Sequence, residues 1–150
     1  MKPSERDQVL VIKTTFKLGE GIGLTGHDIE LLEPEIAFIT ENTGVEAVAL
    51  TTTEGFQIAF ATVPSYHLDS DAFSGLASAL TMTGRLTIMS VFQKELDEII
   101  VRAENGYIVV SSAGRLVLVG ASRLISSLMQ TVRIFRQAAT RIAQNFPMRA

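Results

Sequence analysis

Histidine and acidic side chains crowd one short stretch, His67-Leu68-Asp69-Ser70-Asp71, and together offer an imidazole nitrogen, carboxylates and a hydroxyl to a cation. Ligands so close in sequence hold a metal only when further ones arrive from elsewhere in the fold. Acids at the start of a helix also have a simpler role, accepting from free N–H groups and complementing the helix dipole. We therefore expect no metal. His27, the other histidine, stands in no nucleophile motif, and no Gly-x-Ser-x-Gly elbow occurs. The chain has no cysteine, which removes a thiolate nucleophile and any cysteine-ligated zinc or iron–sulfur site. Gly19-Glu20-Gly21-Ile22-Gly23 invites comparison with a phosphate-binding loop. Such a loop needs a Lys and a Ser or Thr directly after its glycines, whereas Leu24-Thr25-Gly26-His27 follows and no lysine occurs between Lys17 and Lys94. A hinge is the simpler reading. These residues predict a protein that is not an enzyme and carries no cofactor.

The most informative element is a helix expected over Ser70 to Gln93, because it shows two apolar stripes and needs only one to join its own core. Phe73, Leu76, Ala77, Leu80, Gly84, Ile88 and Val91 gather on one side. Gly75, Ala79, Met82, Leu86 and Met89 gather on the other, at the alternating four-and-three spacing of a helix packed on another helix. Ser74, Ser78, Thr81 and Arg85 lie between them. The second row is surplus to the monomer and predicts a contact with another chain.

The remaining elements follow from periodicity and punctuation. Residues 9 to 18 alternate as a strand with one buried face. A helix runs to Asn42-Thr43-Gly44, either starting near Pro34 or beginning at Asp28 and bending at the proline. Glycine would provide its stop. Val45 to Thr52 and Phe56 to Val63 form a hairpin across Thr53-Glu54-Gly55, with Phe56, Ile58 and Phe60 expected on one side. After the long helix, Leu96 to Glu104, Gly106 to Ser112 and Gly114 to Ala121 read as three strands joined at Asn105-Gly106 and Ala113-Gly114. Ser122 is the expected cap of a last helix carrying Ile125, Leu128, Val132, Phe135, Ala139 and Ile142 on one face, ended by Pro147.

Length and composition suit one domain: 150 residues, 47% apolar, net charge −3. No apolar run approaches the roughly 20 residues of a membrane span, and the start lacks the apolar centre of a signal peptide, so a cytoplasmic location is expected. All 16 acidic residues stand at or before Glu104, and residues 105 to 150 hold only arginines: Arg115, Arg123, Arg133, Arg136, Arg141 and Arg149. A nucleic-acid stripe would need more aromatic stacking partners than this chain offers. We expect instead that the basic last helix lies beside the acidic first one, where Asp28, Glu30, Glu33, Glu35 and Glu41 cluster.

From residue 28 the order helix, strand, strand, helix, strand, strand, strand, helix predicts an α+β fold. Its five-stranded antiparallel sheet would carry one long helix on one face and the two terminal helices on the other. The chain resembles the Roadblock family, small dynein light-chain-like regulators of Ras-like GTPases with a profilin-like α/β/α layering. Three stretches carry the resemblance: Thr43-Gly44-Val45-Glu46-Ala47-Val48-Ala49-Leu50 with Glu54-Gly55, then Leu76-Ala77-Ser78-Ala79-Leu80, then Ile99-Ile100-Val101-Arg102-Ala103-Glu104-Asn105-Gly106-Tyr107. It spans about residues 28 to 145, which divides the chain into an extension, 1–27, with an extra strand, and a Roadblock-like domain, 28–150. The resemblance implies a homodimer or heterodimer whose middle strands pair into one sheet, whose long helices lie side by side, and whose paired surface receives a Ras-like small GTPase. Gly75, Ala79, Met82, Arg85, Leu86 and Met89 would then line the dimer or partner interface. Arg85 could reach into a GTPase as an arginine finger, although a single exposed arginine more often serves solubility. A structural light-chain subunit that binds a peptide or helix is the alternative. A small-ligand sensor is disfavoured because no convergent polar cluster is legible. The extra strand could extend the sheet, cross to another subunit or capture a partner strand.

Overall fold

A computed structural model describes residues 15–16 and 24–148. One antiparallel sheet organises them, built from β1 (Thr15–Phe16), β2 (Ala47–Thr52), β3 (Gln57–Thr62), β4 (Glu98–Ala103), β5 (Gly106–Ala113) and β6 (Leu116–Ser122) in the order β1-β3-β2-β6-β5-β4. Helix α1 (Gly26–Asn42) and helix α3 (Leu128–Asn145) pack together on one face, and the long α2 (Ser70–Phe92) crosses the other. This is the expected fold class, α+β with a five-stranded antiparallel core, to which β1 adds a short edge strand. Thr15 and Phe16 pair with Phe60 and Ala59, so the described part of the predicted 9–18 strand extends the sheet. Its remainder, like the glycine run at 19–23, lies outside the described residues. Among the described residues no helix is long and apolar enough to cross a membrane.

α1 is a single helix that continues through Pro34. Thr25 caps it in a reciprocal pair, donating its backbone N–H to Asp28 Oδ2 at 2.8 Å and accepting from the Asp28 N–H at 3.3 Å. At its other end, Gly44 is not among the described glycines with positive φ, which are Gly55 and Gly114. Thr43 caps the helix, and a Cβ on Gly44 would approach Ser127 Cβ to 2.9 Å, so the glycine serves close packing instead of a left-handed stop. The acidic and basic helices do meet. Arg141 forks onto Glu35 at 2.8–3.0 Å and lies over the Phe38 ring.

Two other expectations fail for local reasons. Phe60 packs beneath α2 while Ile58 faces α1 and α3, although simple alternation along the hairpin keeps them on one side. A β-bulge explains the difference: Leu50 pairs with Ala59 and Thr51 with Gln57, leaving Ile58 as the extra residue and switching the faces around it. Ser122 does not cap the last helix. It is the final residue of β6, paired with Tyr107, and its hydroxyl bonds Gly44 O; α3 begins only after a short 3-10 turn at Ile125–Ser127. The buried stripe of α3 is as expected from Leu128 through Val132, Phe135, Ala139 and Ile142. The hairpin joints also hold, with Asn105 and Gly114 both at positive φ.

Candidate functional site

α2 is charged only at Asp71 and Arg85. Asp69 caps it, accepting from the Asp71 and Ala72 N–H groups at 3.0 and 3.1 Å, so one carboxylate of the candidate metal cluster is engaged in starting the helix. The buried side of α2 differs from the expected stripe. Phe73 and Ala77 are buried as predicted, but Ser74, Ser78 and Thr81 lie beside them against the sheet, whereas Leu76 is 58% exposed and Val91 is also in solvent. Hydroxyls tolerate this position because each finds an acceptor: Ser74 donates to Ser70 O, Thr81 to Ala77 O and Ser78 to Thr53 O at 2.8–3.0 Å. Their small size brings the helix close to the alanine-faced strands β2 and β6, where Ala47, Ala49 and Ala121 lie. Leu76 is consequently turned outward.

The outer face carries the surplus row where the spacing placed it. Met82, Leu86 and Met89 are 66%, 69% and 46% exposed, and Gly75 and Ala79, also exposed, continue the row toward the start of the helix. Arg85 sits at the margin of the row, half-buried, and among the described residues no ion pair engages it. With Leu76 added, the outer face is a continuous apolar strip on a helix that a monomer would leave wet.

A second open feature adjoins it. β4 is the outer strand of the sheet, and its Ile100 and Val101 are 43% and 39% exposed. The C-terminal half of α2 lies over this strand because residue 84 has no side chain: a Cβ there would stand 2.7 Å from Ile99 Cδ1. The helix that carries the row and the strand with the open edge are therefore packed directly on each other. Sequence spacing points to the helix alone. The alternation through Ile99, Ile100 and Val101 reads as a strand, yet nothing in one strand's pattern says that it ends a sheet.

At the start of β4, a cleft of about 620 Å³ runs between β5, α3 and the α2–β4 connection, lined in part by Arg85, Glu98, Ser111, Ser112, Arg136 and Thr140. Arg136 holds Glu98 Oε1 through Nε at 2.7 Å and Nη2 at 2.6 Å, while Glu98 Oε2 and the Ser111 and Ser112 hydroxyls are buried without a partner among the described residues. The structure thus assembles a polar cluster that no contiguous motif betrays. Elsewhere Glu46, at the start of β2, receives Arg123 through its guanidinium and its backbone N–H at 2.6–3.0 Å. These bonds hold the Glu46 carboxyl below its usual range despite the opposing effect of burial. That pair ties β2 to the end of β6.

No protein-family model and no curated protein matches the sequence. Solved structures do match the fold. The gliding protein MglB from Thermus thermophilus superposes with a TM-score of 0.66 at 16% identity, over 87% of this chain and 94% of that one. Myxococcus xanthus MglB gives 0.70 at 14% identity, over 82% and 92%. A Roadblock/LC7 domain from Streptomyces avermitilis gives 0.61 at 15% identity, over 77% and 94%. The chain has the Roadblock fold.

Proposed function

We propose that this chain is a non-catalytic, dimeric regulator or scaffold for a Ras-like small GTPase and acts in the cytoplasm. The observation that carries the reading is the outer face of α2: Met82, Leu86 and Met89 stand in water, and the strand beneath the end of that helix, β4, pairs with β5 on one side and leaves its other edge open. Apolar surface of this kind favours association in proportion to the area removed from water, and methionine adapts to more than one partner shape. Dimerisation through β4 and α2 would cover the edge and set two long helices side by side as a platform. Gly75, Ala79, Met82, Leu86 and Met89, with Arg85 at their margin, would form the dimer or partner surface. Residues 28–150 would be the functional unit and residues 1–27 its extension. The MglB structures add support, since they share the layers that create this platform.

A partner can shift a GTPase between states only if it binds those states unequally. Purified protein mixed with a Ras-like GTPase of the same cell should therefore give a complex whose affinity differs between GDP and a non-hydrolysable GTP analogue, or should alter the rate of hydrolysis. Equal affinity with no change in rate would remove the regulatory role and favour a light-chain-type assembly subunit. No association at all would remove the GTPase.

A further inference from the structure

The pairing register of β4 can be worked out from its own residues, and the inference rests on the dimer reading above. The Ser112 N–H donates to Asp97 O at 2.9 Å, and the β4–β5 ladder continues from there with Glu98 opposite Ser111. Backbone groups alternate direction along an antiparallel strand. Ile99 and Val101 therefore turn their N–H and C=O toward β5, as Asp97 does. Glu98, Ile100 and Arg102 turn theirs to the open edge. The side chains divide the same way: Ile99 packs toward α2, with Val101 on its face, whereas Glu98, Ile100 and Arg102 share the opposite face.

A second copy related by a two-fold axis can satisfy those outward groups only when outward residues stand opposite outward residues. Three dyad positions place the strand centres together: Ile99, Ile100 or Val101. A dyad at Ile99 sets Glu98 against Ile100. One at Val101 sets Glu98 against Glu104 and Ile100 against Arg102, joining like charges and an apolar residue to a charged one. With the dyad at Ile100, Glu98 of each copy faces Arg102 of the other, Ile99 faces Val101, and Ile100 meets itself. Every pair is then matched in chemistry, and directly opposed cross-strand pairs are the unit of sheet stabilisation. Arg102 is exposed and has no ion pair among the described residues, while Glu98 is held on this same face by Arg136 with its side chain still 20% exposed.

We propose that two copies join through β4 with the dyad on Ile100, so that a reciprocal Glu98–Arg102 exchange selects this chain as its own partner. The strand reads acid, three apolar residues, base, which is complementary to itself only when reversed about its centre. A different Roadblock-fold chain lacking that charge pattern would lose both pairs at once.

Because the chain has no cysteine, introduced thiols report the register cleanly. Ile99 and Val101 of opposite copies would form a non-hydrogen-bonded pair with Cα atoms about 4.5 Å apart, within disulfide reach. Ile99→Cys mixed with Val101→Cys should give an oxidised heterodimer, and neither variant should link when oxidised alone. Ile100→Cys, which leaves the Gly84–Ile99 packing intact, should link to itself through a short bifunctional thiol reagent. Arg102→Glu, which replaces two opposite-charge pairs by like-charge ones, should weaken the dimer about tenfold. Self-linking of Ile99→Cys or Val101→Cys alone, in a chain that sediments as a dimer, would overturn the register and leave the dimer standing. A dimer in which no thiol links would overturn pairing through β4. A parent chain that sediments as a monomer would overturn the dimer reading underneath.

Discussion

Placing two carboxylates on the outer row of α2, by Met82→Glu with Leu86→Glu, separates association from folding. Both side chains leave about two-thirds of their surface in water, at 66% and 69%. Fully burying a Met or Leu side chain is worth about 1.5–3 kcal/mol, so roughly 1–2 kcal/mol per side chain remains available to a partner. Over two residues in each of two copies this reaches roughly 4–8 kcal/mol. At about 1.4 kcal/mol per tenfold, losing it weakens the dimer on the order of 10³ to 10⁶, before any cost of burying carboxylates is added. The folded monomer should hardly notice, since exposed substitutions usually move stability within about 0.5 kcal/mol and glutamate is a good helix former. Sedimentation velocity over a concentration series measures the first effect. Thermal unfolding measures the second, and must be done at a dilution where the parent is also monomeric, because association by itself raises the midpoint. A doubly substituted chain that sediments like the parent would refute the surplus-row reasoning; one that fails to fold would show that the row belongs to the core.

Glu46→Gln tests the polar tie between β2 and the end of β6. Arg123 depresses the Glu46 carboxyl in the folded chain, so its contribution is present above the ordinary carboxylate range near pH 4 and disappears as pH falls through the lower folded value. The variant should be less stable than the parent at pH 7 in urea titrations, with the gap closing toward pH 3; a gap independent of pH would contradict the assignment. Gly114→Ala probes the close approach of the β5–β6 turn to the end of α3. Residue 114 has φ +64° and a Cβ there would stand 1.9 Å from Phe146 O, so a loss of roughly 2–4 kcal/mol is expected, and an unchanged thermal midpoint would refute the packing.

Much of this molecule was legible because its signals are local. Asn105-Gly106 and Gly114 announce their turns through backbone conformations that few residues adopt, and α3 shows its buried stripe because its large apolar residues, the exposed Met129 apart, all face the core. The outer row of α2 was legible for the opposite reason: Met82, Leu86 and Met89 had no internal use to explain them. What could not be read depended on neighbours. Ser74, Ser78 and Thr81 look like solvent-facing residues until their hydroxyls are seen bonded to nearby carbonyls against an alanine-rich sheet. Ile58 and Phe60 alternate in the usual way, and only pairing with β2 shows the bulge that parts them. The cleft beside Glu98 draws on α2, β4, β5 and α3, so its polar groups are scattered along the chain and converge only after folding.

The same geometry argues an order of events for the proposed function. Gly84 lets α2 settle over Ile99, so the helix that carries the apolar row is packed on the strand whose outer edge is open. A guest protein covering the helix row alone would leave the outward N–H and C=O groups of Glu98, Ile100 and Arg102 on a bare strand edge, which is an invitation to further pairing. A second copy covers edge and row in one step. On this reading the GTPase meets a surface made by two chains, and Arg85, half-buried at the margin of the row, would lie near the rim of that composite surface. Substituting Arg85 should then change GTPase binding or turnover without changing the sedimentation of the dimer. Loss of the dimer on Arg85→Ala would place that residue in the seam and not at its rim.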